Sequence, residues 1–120
     1  MKILMLTWEY PPRIVGGIAR VVYDLSQKLT KEGHEVTVIT YRDGNVPYVE
    51  DDNGVKVYRI DNYMISSNNF IDWILQLNFN MIAKAGEIIA ENGNFDVIHA
   101  HDWLVASAAK TLKYAYNTPI

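Results

Sequence analysis

Lys2-Ile3-Leu4-Met5-Leu6-Thr7 stands near the start of the chain, and Trp8-Glu9-Tyr10-Pro11-Pro12 follows it directly. A nearly unbroken apolar run this short, stopped by two prolines, reads as a strand buried on both faces, since a half-exposed strand would alternate. A strand with no wet face needs cover above and below, which points to a parallel sheet between helices.

Working outward, Ile18, Val21, Val22, Leu25 and Leu29 fall at helical spacing, and Gly33 stops that helix. Val36, Val38 and Ile39 mark a second strand over residues 35–40. Asn53-Gly54 then turns the chain into a third over residues 55–60. The polar stretch between them, residues 41–52, is expected to be a surface loop, with Glu50-Asp51-Asp52 its solvated part. Residues 66–69 supply helix-start types, and Phe70, Ile71, Ile74, Leu75, Leu77 and Met81 begin a helical pattern that runs to about Asn92-Gly93. Residues 95–100 read as a fourth strand. Residues 103–114 read as a third helix, with Leu104, Ala108 and Leu112 inward. The order β-α-β-β-α-β-α predicts an α/β fold, a Rossmann-like parallel sheet with flanking helices. After the last helix Asn117-Thr118 makes a turn and Pro119-Ile120 reads as the opening of another strand, so residues 1–120 are expected to be part of a longer protein or a shortened form of one.

The 120 residues carry 11 Lys+Arg against 14 Asp+Glu, a formal net charge of −3, which argues against a phosphate-tracking nucleic-acid binder. With 49% hydrophobic and 21% charged residues the chain has a globular composition, and its length suits one core without staples. Cysteine is absent, which excludes disulfides and cysteine-ligated zinc. No run approaches the roughly 20 apolar residues of a membrane span, and the first apolar run is too short for a leader. A cytoplasmic protein with no membrane partner is expected.

Ligands of open α/β sheets bind at the carboxyl ends of the strands, and two loops there carry candidate residues. The first ends in Arg13-Ile14-Val15-Gly16-Gly17 and leads into the first helix. Its glycines permit close backbone approach and the helix start offers unpaired N–H groups, so a phosphate is favoured there, bracketed by Arg13 and Arg20. A cation in a helix's first turn opposes the dipole, and Arg20 makes more sense with an anion nearby. The plainer alternative is that the glycines merely turn the chain while Arg20 pairs with Asp24. Neither the G-x-G-x-x-G fingerprint nor a P-loop is present. The second loop is His99-Ala100-His101-Asp102-Trp103. His99 and His101 share a face of the strand, but the binuclear H-x-H-x-D-H pattern fails at Trp103 and Leu104, and His34 belongs to the opposite end of the sheet, so no metal site is expected. Asp102 either caps the third helix or, with His101, hydrogen-bonds sugar hydroxyls, and the two roles are compatible. Trp103, Trp8, Tyr10 and Trp73 read as core aromatics before they read as sugar platforms.

Trp8-Glu9-Tyr10-Pro11-Pro12 through Gly16-Gly17-Ile18-Ala19-Arg20, then Gly33-His34-Glu35-Val36, then Asp96-Val97-Ile98-His99-Ala100-His101-Asp102-Trp103, in that order over nearly all of the chain, resemble the N-terminal domain of glycogen/starch-synthase-type retaining glycosyltransferases. The resemblance implies the GT-B architecture, two Rossmann-like domains across a cleft, of which residues 1–120 would be an incomplete N-terminal, acceptor-side domain without the C-terminal donor domain. It implies that Gly16 and Gly17 approach the donor pyrophosphate, that Asp102 lies on the sugar and acceptor side, and that Glu9 lies near the acceptor channel. Glycogen synthases often carry Lys two residues before the doublet, where this chain has Ile14 beside Arg13. The implied reaction moves glucose from ADP- or UDP-glucose to the 4-hydroxyl of an α-1,4-glucan with retention, using no metal and no cofactor. The C-terminal Glu and basic pair of the family, and a further His expected just after Ile120, fall outside these residues, so residues 1–120 alone are expected to be inactive. Two alternatives stay open: a glycosyltransferase for another sugar or acceptor, and a non-catalytic α/β binding module. The nucleotide, the acceptor length and the oligomeric state are not legible. The site reading requires that the two loops border one crevice and that the amides of the glycine doublet are free.

Overall fold

The computed structural model describes residues 1–62 and 69–120. Strands β1 (Lys2–Leu6), β2 (Glu35–Tyr41), β3 (Val49–Asp52), β4 (Val55–Ile60) and β5 (Val97–Ala100) form one sheet in the order β3-β4-β2-β1-β5. Helices α1 (Ile18–Lys31), α2 (Phe70–Asn92) and α3 (Ala106–Tyr116) flank it, and a short 3-10 turn, Trp103–Val105, precedes α3. β1 lies in the interior, parallel to both β2 and β5, and β4 runs parallel to β2.

Leu4, Met5 and Leu6 have no exposed surface, as the apolar run requires. Successive side chains of β1 alternate between two cores. Ile3 and Met5 join Val22, Val36, Val38 and Val57 beneath α1. Leu4 and Leu6 join Leu77, Met81, Ala108 and Leu112 beneath α2 and α3. Each fully buried aliphatic side chain contributes about 2 kcal/mol.

One expectation is corrected. Residues 41–52 are not all loop: Val49–Asp52 forms β3, which pairs antiparallel with β4 across the Asn53-Gly54 turn. Both turn residues have positive φ, 53° and 97°, the combination that matches the twist of a two-residue hairpin. Glu50 forms an ion pair with the buried Arg59 at 2.9 Å, and Asp51 one with Lys56 at 3.6 Å, so these acidic residues are bound into the sheet. At the start of α2, Asn69 caps the helix by accepting from the Ile71 amide at 2.9 Å; residues 66–68, also expected to start it, lie outside the described residues. Leu104, Ala108 and Leu112 are buried as expected. The Ile98 amide donates to the Pro119 carbonyl at 2.8 Å, so Pro119 lies along the outer edge of β5. Among the described residues no helix is long and apolar enough to cross a membrane.

Candidate functional site

In the parallel register Leu6 of β1 faces Ala100 of β5, and the His101 amide donates to the Leu6 carbonyl at 2.9 Å. The loops after β1 and β5 therefore leave the sheet side by side, at the carboxyl ends where ligands of such sheets bind. His34 lies at the other end: it precedes β2, and its Nδ1 is 3.2 Å from the N-terminal amine. The geometry thus brings the two candidate loops to one edge and leaves His34 out.

Inside the first loop the residues of Trp8-Glu9-Tyr10 diverge. Trp8 turns toward α2, edge-on to Trp73 at 6.3 Å. Tyr10 turns under α1, fully buried, and donates its hydroxyl to Asp52 at 2.7 Å. Burial, and then the Asp52 carboxylate, push the phenol well above the usual tyrosine range. Arg59 of β4 holds the same loop by donating to the Pro11 carbonyl at 3.1 Å.

Glu9 takes a place that the sequence did not suggest. It is 1% exposed, and its carboxylate accepts from the amides of Val15 at 2.9 Å, Gly16 at 3.1 Å and Ala19 at 2.7 Å. The N-cap of α1 is Gly17, which has no side chain to cap the helix, and Glu9 supplies the missing acceptor from eight residues upstream. So Glu9 faces into the loop, and the Gly16 amide is already engaged, which fails the expectation that both amides of the doublet are free. Among the described residues the amides of Gly17 and Ile18 have no protein partner.

The glycines themselves are unconstrained by the chain. A Cβ placed on Gly16 or Gly17 would meet nothing within 4 Å, and neither residue has a positive φ. The fold makes no steric demand for glycine at either position, and open space lies above both. Arg13 does not bracket that space. Its guanidinium pairs with Asp43 and lies over the rings of Trp8 and Tyr41 at 5.0 and 4.9 Å. Arg20 is exposed and forms no ion pair among the described residues, so the alternative pairing with Asp24 is not made.

At the tip of β5, Asp102 has φ 78° and ψ 162°, a region populated essentially by glycine. Such strain costs on the order of 1–3 kcal/mol and concentrates at functional positions. Its carboxylate accepts from the Trp103 amide at 2.6 Å, so it caps the 3-10 turn and not α3, whose N-cap Val105 makes no side-chain bond, and the residue stays exposed. Trp103, read as core, is 61% exposed. The rings of His99 and His101 lie 4.2 Å apart. Burial, and then His99, depress the His101 imidazole to about 4, and its buried Nε2 has no partner among the described residues. Neutral imidazole is the form present at pH 7. Among the described residues no group of three or more His, Asp or Glu side chains is gathered as a metal would need.

The sequence reading missed Asp43, Asp52 and Arg59, which fix the first loop from the segment after β2, from β3 and from β4. A Gly at a helix start with no capping side chain was the one local signal that an acceptor such as Glu9 had to arrive from elsewhere.

The sequence profile of the starch synthase catalytic domain matches residues 2–120. The chain belongs to that family. It is 42% identical over 119 residues to an uncharacterized glycosyltransferase of Methanocaldococcus jannaschii, covering 99% of this chain and 29% of that protein. It is 36% identical over 134 residues to a glycogen synthase of Mycobacterium tuberculosis, covering 100% of this chain and 32% of that protein. Among solved structures, sucrose-phosphate synthase of Thermosynechococcus elongatus superimposes with a TM-score of 0.73 at 20% identity, over 98% of this chain and 31% of that one. The catalytic domain of starch synthase IV of Arabidopsis thaliana, bound to ADP and acarbose, gives 0.71 at 18% identity, over 94% and 30%. These likenesses establish the α/β fold of GT-B glycosyltransferases, as the family resemblance implied. The chain spans about a third of the length of the relatives it matches.

Proposed function

We propose that the protein is a cytoplasmic retaining glucosyltransferase of the glycogen synthase type, moving glucose from ADP- or UDP-glucose to an α-1,4-glucan. Residues 1–120 form its N-terminal, acceptor-side part, and the donor-holding domain lies outside them. The observation that carries this reading is the Gly16-Gly17 doublet, which the fold does not require, open to the same strand edge as Asp102 in a chain of the starch synthase family.

The barrier to transfer is charge separation between an oxocarbenium-like sugar and a departing diphosphate. Donors fixed in advance at the developing phosphate charge lower it most. In this chain the donors are the unpartnered amides of Gly17 and Ile18 with the unpaired Arg20; Gly16 contributes close approach, its amide being held by Glu9. Arg13, committed to Asp43, steadies the loop instead of reaching the phosphate. Asp102 is the sugar-side candidate, exposed at the tip of β5 on a strained backbone. His101, buried and neutral behind it, supports that tip. No metal or cofactor is assigned a role.

The test is an assay of the intact protein with ADP-glucose and UDP-glucose on a glycogen primer, beside residues 1–120 alone. The expected result is chain extension by the intact protein with one of the two donors and none by residues 1–120. Because the more similar relative is known only as a glycosyltransferase, the assay includes other nucleotide-sugars and acceptors. Transfer of a different sugar, or to a different acceptor, would replace the glucan reading, and no transfer with any of them would favour a binding module.

A further inference from the structure

We propose that Glu9 is a positioning residue for the donor diphosphate: its buried carboxylate folds the turn at residues 15–19 and leaves the Gly17 and Ile18 amides for the ligand. The inference rests on the function proposed above and goes beyond it by assigning the shape of the phosphate loop to one side chain.

Three observations converge on it. The carboxylate is 1% exposed and receives three backbone amides from one turn, far more than a surface acid would gather. Thr7 holds the backbone of Glu9 in turn, its hydroxyl donating to the Glu9 carbonyl at 2.9 Å, so the side chain is launched from a fixed point at the end of β1. And the two glycines it organises face open space, with neither clash nor positive φ to explain them. Ile14 and Val15 are 62% and 58% exposed, so at that end of the turn Glu9 is the tie to the interior, while buried Ala19 and partly buried Ile18 seat the other end on the core beneath α1. A loop of exposed apolar residues and glycines would otherwise sample many conformations, and ordering it at the moment of binding would weaken the ligand's hold. Glu9 meets that cost in advance. Its negative charge also offsets part of the helix dipole, so the loop recognises phosphate through oriented N–H groups and Arg20 more than through the raw field of α1.

The test uses the intact protein, with Glu9→Gln, which keeps volume and one acceptor oxygen, and Glu9→Ala, which removes the anchor. Amide hydrogen exchange is followed at residues 13–20, and ADP, UDP and their parent nucleosides are titrated. Glu9→Ala is expected to speed exchange at Val15, Gly16 and Ala19 by about a hundredfold and to weaken the diphosphate by about tenfold, with Glu9→Gln between it and the natural protein. Nucleoside affinity should stay within about twofold, which a general loss of structure would not allow. Faster exchange with unchanged diphosphate affinity overturns the inference and leaves the proposed function standing. If the natural protein binds neither ADP nor UDP, the proposed function fails and takes the inference with it. Should Glu9→Ala not fold, Glu9→Gln decides: weaker diphosphate binding with faster exchange supports the anchor, and tighter binding without faster exchange overturns it, because Glu9 would then be a competing charge.

Discussion

Two glycine-containing turns of this molecule look alike in sequence and differ in physics. Gly54, in the β3–β4 hairpin, has φ 97°, and a Cβ there would meet the Thr30 side chain at 2.8 Å. Gly16 and Gly17 have neither a positive φ nor a neighbour within 4 Å of a built Cβ. Gly54 is a glycine because the fold leaves no room for anything else. At the doublet neither steric room nor a positive φ calls for glycine, and the proposed function supplies a reason in a ligand approaching from outside. A glycine is evidence of function only after its structural reasons have been removed.

Substitutions can break this contrast in order of expected size. Gly17→Val in the intact protein should lower transfer from the nucleotide-glucose by about a hundredfold or more, the scale of losing one donor to developing charge. Denaturant unfolding of the same variant should move by less than about 1 kcal/mol. Equal losses of activity and stability would return the doublet to the class of Gly54.

Next in size is acid sensitivity beside the strained tip. The folded-state value for His101 is depressed to about 4 from 6.5, so the unfolded chain binds the extra proton first as pH falls. Stability is then present in full above about 6.5 and is lost between 6.5 and 4, by on the order of 3 kcal/mol. Denaturant melts across that window should show the loss, and His101→Leu should flatten it; an unchanged slope would show that the imidazole protonates without cost.

Gly54→Val should cost about 2 kcal/mol of stability through the left-handed backbone and the Thr30 contact, while kcat/KM per folded molecule stays put. The smallest effect concerns Asp102. Asp102→Gly relieves the backbone strain and should raise stability by about 1 kcal/mol while transfer falls. Asp102→Ala loses the same contact with the Trp103 amide but keeps the strain, and should destabilise. If both variants unfold alike, the strain carries no functional meaning.

Most of the fold was legible because its signals are local. The unbroken apolar run at residues 2–7, the spacing from Ile18 to Leu29 and the long pattern after Phe70 each state a period that survives into the structure. β3 was missed because Val49-Glu50-Asp51-Asp52 has no apolar face: it is an edge strand held by ion pairs to β4, and such partners are invisible along the chain. The Asn53-Gly54 turn was the available clue, since a two-residue hairpin loop needs a strand on both sides. At the site, the identity of the two loops came from the residues themselves, while their adjacency was a requirement that the pairing of β1 with β5 meets. The fates of Glu9 and Arg13 were not legible, because each is decided by long-range partners, the α1 amides and Asp43. Trp103 was misjudged for a related reason: the 3-10 turn before α3 rotates it away from the core that Leu104 and Val105 enter.

The acidic hairpin strand has one more consequence. Open sheets invite strands of other molecules to add along an unpaired border, and a row bearing Glu50, Asp51 and Asp52 makes a poor template because a second copy would meet like charge. Growth of this sheet by chance association is thus discouraged on the hairpin flank.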